Sequence, residues 1–426
     1  MTMAVMFFTA IWFFDWALFS QVDHSVAYWR DQLINLSGII GFGLMTLTMV
    51  MSLRPRWLEQ RLRGLDKMYR HHKRLGIASG IFITLHWLFS QGGKWLVELG
   101  YLDGPHHAAN EPVTWKDRFE QLGEWALYLM IALIAISLIQ RFTYTKFKLS
   151  HKLMGGVFVM SVLHIIGLLT HTEPGILFMV CTLLLCVAGS YAAFCSLTGR
   201  IGKSRKTAAN ISEISLRNSD LVIFSVHLSQ PFAYKAGQFV YIDFNDGEGS
   251  HPFTVVSYDG DRRIELAIKA LGDYTLHLPS ALKEGMPVCI EGPYGDFTYS
   301  QRDSQVWVGA GIGITPFIAW LEELSRNDTV LQKNVTLYYC AQNPAAAPFL
   351  PRLHELTAAR SDITLQVIFS DQGHSLNGES IRQRHILPAT EVYFCGPHGF
   401  ASALSKQLTA LKLPADQFHS EYFNFR

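Results

Sequence analysis

The distribution of apolar residues divides the chain into two halves of different character. Residues 1–198 contain nearly all of the long apolar runs, whereas residues 199–426 alternate apolar and polar positions in short stretches separated by turn residues. Because a helix needs about 20 apolar residues to cross a bilayer, the first half predicts membrane-spanning helices. The second half predicts strands first, and then alternating strands and helices.

Six apolar segments in the first half are long enough to be spanning helices. They are residues 3–20, 31–53, 75–92, 122–140, 153–170 and 176–198. The first segment lacks the basic start and the small-residue cleavage site of a signal peptide, so we interpret it as a retained helix. The sequence therefore predicts a six-helix transmembrane bundle over residues 1–200.

Positive charges are concentrated in alternate connections between these segments. Eight Lys and Arg residues lie within 54–74, and further groups lie within 141–152 and 200–206, whereas the other connections are poorer in cations. Loops rich in Lys and Arg remain in the cytoplasm. We therefore expect a multi-pass protein of a bacterial inner (cell) membrane, with both termini and the whole second half in the cytoplasm.

Overall composition excludes some classes of partner and site. Lys and Arg total 36 against 35 acidic residues, so the charge balance gives no indication of a nucleic-acid partner. The six cysteines form no CxxC pair. We interpret them as free thiols, with neither a disulfide framework nor a thiolate metal site.

Four histidines carry the chemical signal of the first half. His72 and His86 are 14 positions apart on the third segment and its approach, and His151 and His164 are 13 apart on the fifth. The two segments run in the same direction, so His72 and His151 share an inner level and His86 and His164 an outer one. At 1.5 Å per residue the levels are roughly 20 Å apart, a separation that suits two stacked haems.

A buried histidine is often only structural, but four at matched depths are harder to explain in that way. Ionisable residues at membrane depth indicate function, and haem iron accepts imidazole as an axial ligand. We therefore predict two haems, each held by two histidines. His71 competes with His72 as a ligand, and His171 is expected at the outer surface. His106 and His107 form either a solvated pair or a weak metal site in the outer loop.

The stretches HHKRLGIASGIFITLH and HKLMGGVFVMSVLH resemble the ferric-reductase-type transmembrane domain that NADPH oxidases and ferric reductases share. In that family two histidine pairs at these spacings hold an inner and an outer haem b. The resemblance implies that His72 and His151 hold the inner haem, and that His86 and His164 hold the outer one.

Residues 207–300 alternate like a small β-barrel and contain three motifs, each weak alone: HPFTVVS, IKALGDYT and EGPYGDF. In this order they resemble the flavin domain of ferredoxin reductases. The resemblance implies FAD rather than FMN, because a pyrophosphate loop is present. It places four residues along the isoalloxazine ring and three in the pyrophosphate loop, respectively His251, Pro252, Phe253 and Thr254, and Lys269, Gly272 and Thr275.

Residues 301–426 predict an α/β domain for NAD(P)H. An apolar strand runs into GAGIGITP, where Gly309, Gly311 and Gly313 allow close approach of a phosphate to a helix N-terminus. Thr315 replaces the end of a Rossmann fingerprint, and the loop instead fits the reductase family. There, the stretch that matches Cys395, Gly396 and Pro397 brings a cysteine close to the nicotinamide.

The final residues, HSEYFNFR, also resemble that family, in which a terminal Glu-x-Phe motif lies at the flavin. This implies that Phe423 stacks on the flavin and that Glu421 forms a hydrogen bond nearby. Phe425 is the alternative to Phe423, and a plain edge strand is the alternative to both. The choice between NADPH and NADH stays open, because Ala341 stands where NADPH enzymes often have Arg, although Arg352 offers another cation.

The parts together predict an oxidoreductase that moves electrons from cytosolic NADPH or NADH, through FAD and two haems b, to an acceptor outside. A flavin is needed because nicotinamide gives two electrons at once and haem accepts one. Dioxygen, reduced to superoxide, is our first choice of acceptor. The alternatives are a ferric or cupric chelate and a periplasmic protein partner, which the sequence does not require.

Overall fold

The structure is a computed structural model and describes residues 1–19, 25–100, 113–139, 144–170, 175–217, 220–272, 274–300, 304–331 and 334–421. Its helices in the first half are α1 (Thr2–Phe19), α2 (Val26–Ser52), α3 (Arg56–Arg61), α4 (Leu65–Glu98), α5 (Trp115–Leu138), α6 (Tyr144–Lys152), α7 (Met154–Leu169) and α8 (Ile176–Leu197). The backbone divides into two units. The first contains Met1–Leu58 and Lys67–Ile201, and the second contains Glu59–Asp66 and Gly202–Arg426.

Four helical runs in the described residues are long and apolar enough to cross a bilayer. These are α2, α5, the run Phe147–Leu169 and α8. The six-helix prediction is therefore supported only in part: α1 is shorter over its apolar stretch, Thr2–Leu18, and α4 begins with several charged residues. The transmembrane character of the first half holds.

The two histidine-bearing helices are built differently. Helix α4 is continuous over 34 residues and carries both His72 and His86. The other helical run is interrupted at Leu153, so that His151 lies on α6 and His164 on α7. This interruption accounts for the spacing of 13, which does not return to one face of a continuous helix as 14 nearly does.

Small residues set the close packing within the first unit. A Cβ atom on Gly189 of α8 would lie 1.9 Å from Phe158 of α7, so only glycine permits this approach of the two helices. Phe158 is fully buried and its ring stacks on Phe42 of α2 at a centroid distance of 5.3 Å. These contacts join three helices around one aromatic centre.

The second unit begins with a closed six-stranded barrel. Its strands are β1 (Lys206–Arg217), β2 (Leu221–Leu228), β3 (Phe239–Asp243), β4 (His251–Tyr258), β5 (Arg263–Lys269) and β6 (Pro287–Tyr294), in the order β1-β2-β5-β4-β3-β6. All of the pairs are antiparallel. The short helix α9 (Leu278–Ala281) packs its apolar side chains into the barrel core. The flavin-type barrel predicted from the sequence is therefore present.

A parallel five-stranded sheet follows. Its strands β7 (Ser304–Ala310), β8 (Val335–Ala341), β9 (Ile363–Phe369), β10 (Thr390–Cys395) and β11 (Phe418–Glu421) lie in the order β11-β10-β7-β8-β9. Helices α10 (Thr315–Arg326), α11 (Leu350–Ala358), α12 (Gly378–Arg382) and α13 (His398–Ala410) connect them. From β7 the chain continues to β8 and β9 on one side of β7, and it then returns to β10 and β11 on the other side of β7. This is the reversal of strand order at which open α/β sheets bind ligands, beyond the carboxyl ends of the strands.

A short polar connection from the first half belongs to the second unit. Within that connection, Glu59 accepts a hydrogen bond from the Gly295 N–H at 3.0 Å and pairs with Arg205 at 3.0 Å. Both charged side chains are less than a tenth exposed. The segment Glu59–Asp66 is therefore fixed to Gly295, the last residue of the Gly-Pro-Tyr-Gly motif, directly after β6.

Candidate functional site

The outer histidine pair faces across two helices. The ring centroids of His86 on α4 and His164 on α7 lie 6.4 Å apart. The Nδ1 atom of His86 lies 2.9 Å from the Ile34 carbonyl oxygen, and that of His164 lies 2.7 Å from the Phe119 carbonyl oxygen. A carbonyl only accepts, so each Nδ1 must carry the proton, which leaves Nε2 as the free ligand atom.

Glycine backbone lies directly against both outer imidazoles. A Cβ atom on Gly38 would be 3.0 Å from Nδ1 of His86, and one on Gly123 would be 2.4 Å from Nδ1 of His164. Because these distances are shorter than ordinary contacts, the rings occupy space that only glycine leaves. The fold thus fixes the position of each ring as well as its proton.

The inner pair has the same arrangement with one different acceptor. The rings of His72 and His151 lie 5.9 Å apart between centroids. His72 Nδ1 lies 3.0 Å from the Thr48 carbonyl oxygen, whereas His151 Nδ1 lies 3.0 Å from Ser137 Oγ. Ser137 donates its own proton to the Leu133 carbonyl at 2.7 Å, so it accepts the proton of His151. Here, too, both Nε2 atoms are left to bind a metal.

Both separations fit an iron atom between two imidazoles. A metal–imidazole bond is about 2.0 Å, so two such bonds in line separate the ring centroids by roughly 6 Å. No group of three or more His, Cys, Asp or Glu side chains suited to a metal ion occurs within the described ranges. Two protein ligands are enough for haem, whose macrocycle supplies the remaining ones. The residues therefore fit bis-histidine haem better than a bare ion.

The other histidines weighed in the sequence stand apart from these pairs. It is His72, rather than its neighbour His71, whose ring faces His151. His106, His107 and His171 lie outside the described residues, so those predictions stay as they were.

In the barrel, the pairing of neighbouring strands places residues of two of the motifs in one row across the sheet. Thr254 on β4 pairs with Phe239 on β3, and Phe239 pairs with Tyr294 on β6. The HPFT and GPYG motifs, 40 positions apart in Thr254 and Tyr294, thus flank a single strand. Thr254 and Tyr294 are both buried.

The remaining motif, IKALGDYT, reaches the same side of the barrel through an aromatic stack. The ring of Tyr274 lies parallel to that of His251 at a centroid distance of 3.9 Å, and its hydroxyl donates to Asp246 at 2.6 Å. Burial, followed by this hydrogen bond, raises the pKa of Tyr274, so the phenol stays neutral. Thr275 Oγ1 accepts hydrogen bonds from the Leu271 and Gly272 N–H groups, which closes the predicted pyrophosphate loop into a turn.

A second row forms at the carboxyl ends of the parallel strands. Gly309 on β7 pairs with Cys395 on β10, which pairs with Glu421 on β11. Glu421 is buried, and its Oε1 lies 3.2 Å from where a Cβ on Gly295 would be, immediately after Tyr294. The two rows therefore meet at Gly295 and Glu421.

Close backbone contacts hold the glycine-rich loop against β10. A Cβ on Gly313 would lie 2.3 Å from the Cys395 carbonyl oxygen, and one on Gly396 would lie 2.7 Å from Ala310. Gly311 has a φ of 58°, in the left-handed region that glycine favours. The loop is a 3₁₀ turn over Gly311–Ile314 that leads into α10 at Thr315, with Pro316 in the first turn. Pro397 ends the other strand and precedes α13.

The thiol at this point is not a nucleophile. Cys395 is only 1% exposed, and burial together with the carboxylate of Glu421 raises its pKa well above the ordinary value. The thiol therefore stays protonated and can act only through its size and position. Phe423 and Phe425 lie outside the described residues, so the terminal stacking role stays a prediction.

A cleft opens beside the glycine loop. Its lining includes Gly311 and Ile312 from the loop, Tyr339 from β8, and Lys269 and Asp220 from the barrel. Lys269, which the sequence motif assigns to the flavin pyrophosphate, thus lines the same cleft as the glycine loop. Its ammonium lies 3.9 Å from the Asp220 carboxylate.

Arg352, which the sequence offered as a contact for a 2′-phosphate, forms ion pairs within the protein. Its guanidinium pairs with Glu265 on β5 and Glu322 on α10. Burial acts to lower the pKa of Arg352, but the two carboxylates outweigh it and raise the pKa. This side chain joins the barrel to the sheet and is not available to a nucleotide.

Several residues of the site carry no signal that the sequence could have revealed. Ser137, Gly38 and Gly123 contact the histidines from other helices, at sequence distances that follow no motif. Glu59 is an unremarkable acid in a basic connection, yet it is bound to the motif loop after β6. Only the folded chain reveals these partners.

Three family models match consecutive parts of the chain. "Ferric reductase like transmembrane component" matches residues 37–162, "FAD-binding domain" matches 206–298, and "Oxidoreductase NAD-binding domain" matches 307–406. His72, His86 and His151 lie within the first match, and His164 lies two residues beyond the end of that match. The order of the three matches is the order predicted from the sequence.

Curated relatives match parts of the chain. A flavohemoprotein of Deinococcus radiodurans is 30% identical over 174 residues, which is 38% of this chain and 43% of that protein. The carnitine monooxygenase reductase subunit of Escherichia coli is 27% identical over 204 residues, or 45% and 59% of the two chains. Dual oxidase 1 of Caenorhabditis elegans is 35% identical over 122 residues, or 25% and 8%. The chain thus spans about half the length of the first two.

One solved structure resembles the fold over most of the chain. The crystal structure of flavohemoglobin from Malassezia yamatoensis aligns with a TM-score of 0.51 at 18% identity, and the match covers 93% of this chain and 98% of that one. At this identity the likeness describes the fold alone.

Proposed function

Because the chain belongs to the ferric reductase and NADPH oxidase superfamily of NAD(P)H oxidoreductases, we propose that it carries electrons from cytosolic NAD(P)H, through FAD and two haems b, to dioxygen outside the membrane. One observation carries this proposal. Two pairs of imidazoles face each other at 5.9 and 6.4 Å, each ring with its Nδ1 on a hydrogen-bond acceptor.

The four histidines would hold the two haems in pairs. His72 and His151 would hold the inner haem, and His86 and His164 the outer one. Each haem, when bound, provides a centre that accepts and releases a single electron. The protein keeps Nε2 of all four rings unprotonated by placing the proton on Nδ1, and its acceptors at Nδ1 raise the basicity of each ligand.

The barrel residues would hold FAD in the way that the family resemblance implies. Bound flavin converts the two electrons of a hydride into single transfers. His251, Pro252, Phe253 and Thr254 line one side through β4. The turn that contains Gly272 and Thr275 offers main-chain groups to the pyrophosphate.

The carboxyl ends of β7, β10 and β11 would receive the nicotinamide dinucleotide. Gly311 leaves open space for its phosphates, whereas Gly309 and Gly313 let the loop pack closely against Ile314 and Cys395 before Thr315 opens α10. Lys269 lines the same cleft and supplies a positive charge there. We assign the Lys269 ammonium to this dinucleotide rather than to FAD.

Cys395, Gly396 and Glu421 would surround the reacting end of the nicotinamide. The protonated thiol and the close backbone at Gly396 define the space, and Glu421 presents a carboxylate beside Gly295. Phe423 would cover the flavin until the nicotinamide displaces it, with Phe425 as the alternative. None of these groups acts as a nucleophile.

The proposal includes the division of the chain and its orientation. Residues 1–200 form the di-haem transmembrane part with six helices, 207–300 bind FAD, and 301–426 bind NAD(P)H. The cationic connections support an orientation with both termini in the cytoplasm, and we assign the chain to the inner membrane of a bacterial cell. No protein partner is needed for this electron path.

Visible spectroscopy of the detergent-solubilised protein tests the proposal. Under anaerobic conditions with FAD, we expect NADH or NADPH to produce reduced b-type bands. Admission of air should reoxidise them rapidly while superoxide accumulates. Bands that persist in air but disappear with a ferric chelate would identify a metal reductase, and bands that persist in both would indicate a protein acceptor. The absence of any b-type spectrum after haem reconstitution would contradict the proposal.

A further inference from the structure

A single carboxylate ties two helices together beside the outer histidine pair. Glu124 on α5 accepts hydrogen bonds at Oε1 from the indole N–H of Trp87 on α4, at 3.1 Å, and from the Tyr128 hydroxyl, at 2.6 Å. Tyr128 lies one turn further along α5. The contact with Trp87 crosses between the helices.

The neighbours of this contact in the chain are the outer pair and its glycine. Trp87 directly follows His86, and Glu124 directly follows Gly123, whose Cβ position lies 2.4 Å from Nδ1 of His164. Glu124 is therefore one residue from the glycine against which His164 packs, and its partner Trp87 is one residue from His86.

The hydrogen bonds indicate an ionised group. An indole N–H can only donate, and the oxygen that receives it also accepts the phenol proton, so both donors point at one negatively charged oxygen. One turn earlier, Glu120 is paired with Lys94 and Lys116 at 4.0 and 3.9 Å, and Lys94 also attracts the Glu124 carboxylate. Glu124 lies within an apolar span, where an ionisable residue indicates function.

We propose that Glu124 lowers the reduction potential of the outer haem and so sets the driving force for transfer to the external acceptor. This rests on the proposed function. Ferric haem carries one more positive charge than ferrous haem, so a nearby carboxylate stabilises the ferric form. The surroundings have a low dielectric constant, which strengthens that attraction compared with water. One electron enters and leaves the iron, with no bond made or broken.

The test is a spectroelectrochemical titration of the haems in the full-length protein, without NAD(P)H or acceptor. Glu124→Gln keeps the shape and removes the charge. At the wild-type midpoint of the outer haem, we expect its ratio of reduced to oxidised form to rise at least threefold, or ~30 mV at 59 mV per tenfold for one electron. The inner haem should not shift. The outer wave is identified as the one missing in His86→Ala.

Tyr128→Phe separates charge from packing. This variant removes a donor that offsets the carboxylate charge but leaves the charge itself, so the outer potential should move in the opposite direction, downward. An upward shift in both variants would mean that the effect comes from disturbed packing and would overturn the proposal.

Glu98→Gln is the matched control for loss of one negative charge. Glu98 ends α4, 12 positions after His86, or ~18 Å along the helix axis. In Glu98→Gln the reduction potential of the outer haem should shift less than in Glu124→Gln. Equal shifts, or no shift in Glu124→Gln, would overturn the inference while the b-type spectrum still supports the proposed function. Loss of all haem absorbance in the wild type would instead contradict the proposed function itself.

Discussion

In both histidine pairs each Nδ1 atom donates its proton to an acceptor, but the acceptors differ between the two pairs. In the outer pair both Nδ1 atoms lie on main-chain carbonyls of neighbouring helices, those of Ile34 and Phe119. In the inner pair one acceptor is the Thr48 carbonyl and the other is the hydroxyl of Ser137. A carbonyl is present whatever residue occupies the position, whereas a hydroxyl depends on one side chain.

This difference separates what the fold fixes from what a substitution can change. The outer rings also lie on the backbone of Gly38 and Gly123. Their orientation is therefore a property of helix packing, and only crowding or removal of a ring can alter it. The inner pair offers one exchangeable partner in Ser137. The outer haem should be the more rigidly held of the two, with its potential adjusted by charge rather than by ligand orientation.

Removal of one ligand from each level should have the largest effect. His86→Ala and His72→Ala should each lower the haem content from two to one per chain, because the partner imidazole alone leaves iron without its second axial ligand. In His86→Ala the remaining haem should still be reduced by NAD(P)H through the flavin. In His72→Ala reduction of the remaining haem should slow by orders of magnitude, since the inner centre is missing.

Haem content per flavin and anaerobic reduction rates measure both outcomes. Two haems in either variant would contradict the ligand assignment. Rapid reduction of the remaining haem in His72→Ala, with slow reduction in His86→Ala, would reverse the inner and outer levels.

Crowding of the outer pair should come next. Gly123→Ala places a methyl group 2.4 Å from Nδ1 of His164, so the ring or the helix must move. Such overpacking costs about 1–3 kcal/mol, and the outer haem should be lost partly or show an altered spectrum. Gly38→Ala, at 3.0 Å from His86, should have a smaller effect of the same kind.

Gly92→Ala controls for the change of residue type, because nothing lies within 4 Å of its Cβ position on α4. This variant should retain the outer haem and gain up to about 1 kcal/mol of helix stability. Normal haem binding in Gly123→Ala would show that the glycine contact does not fix the ring.

The sequence indicated the four histidines as candidate ligands but not the groups that orient them. His72, His86, His151 and His164 were recognisable from their depths and spacing, and the three motifs of the second half from their order. The interruption at Leu153 explains the spacing of 13 that a continuous helix did not. Strand order in the parallel sheet, and the row that joins Gly309, Cys395 and Glu421, depend on long-range pairing that no local pattern encodes.

Partners from other helices were beyond sequence reasoning for a physical reason. Ser137 and Gly123 act through helix–helix packing, and a serine or glycine in an apolar helix has several common explanations. Glu59 lies in the basic connection 54–74, which the charge pattern assigns to the cytoplasm, yet its carboxylate is buried with Arg205 in the second unit. The motif predicts that Lys269 binds FAD, and its position in the lining of the cleft at Gly311 follows only from the fold.

Ser137→Ala should perturb the inner haem alone. The substitution leaves Nδ1 of His151 without its acceptor, which loosens the ring and lowers the basicity of the ligand. Loss of a partner that orients a metal-binding histidine typically costs 10- to 100-fold in metal affinity or activity. We expect weaker haem binding at the inner level or a changed inner spectrum, measured by haem retention during dilution, with the outer potential unchanged. An effect on the outer haem of equal size would contradict the separation of the two levels.

Thr48→Ala should have the smallest effect, and it tests the main-chain rule directly. Thr48 serves His72 through its carbonyl oxygen, which remains in alanine, while its hydroxyl donates only to Leu44 within the same helix at 2.8 Å. Loss of that local bond is offset by the better helix propensity of alanine, so stability should change by less than about 0.5 kcal/mol. Haem content, the inner spectrum and the inner potential should all match the wild type. If Thr48→Ala perturbed the inner haem as strongly as Ser137→Ala, side-chain and main-chain acceptors would be equally exchangeable, and the contrast between the two pairs would have no structural basis.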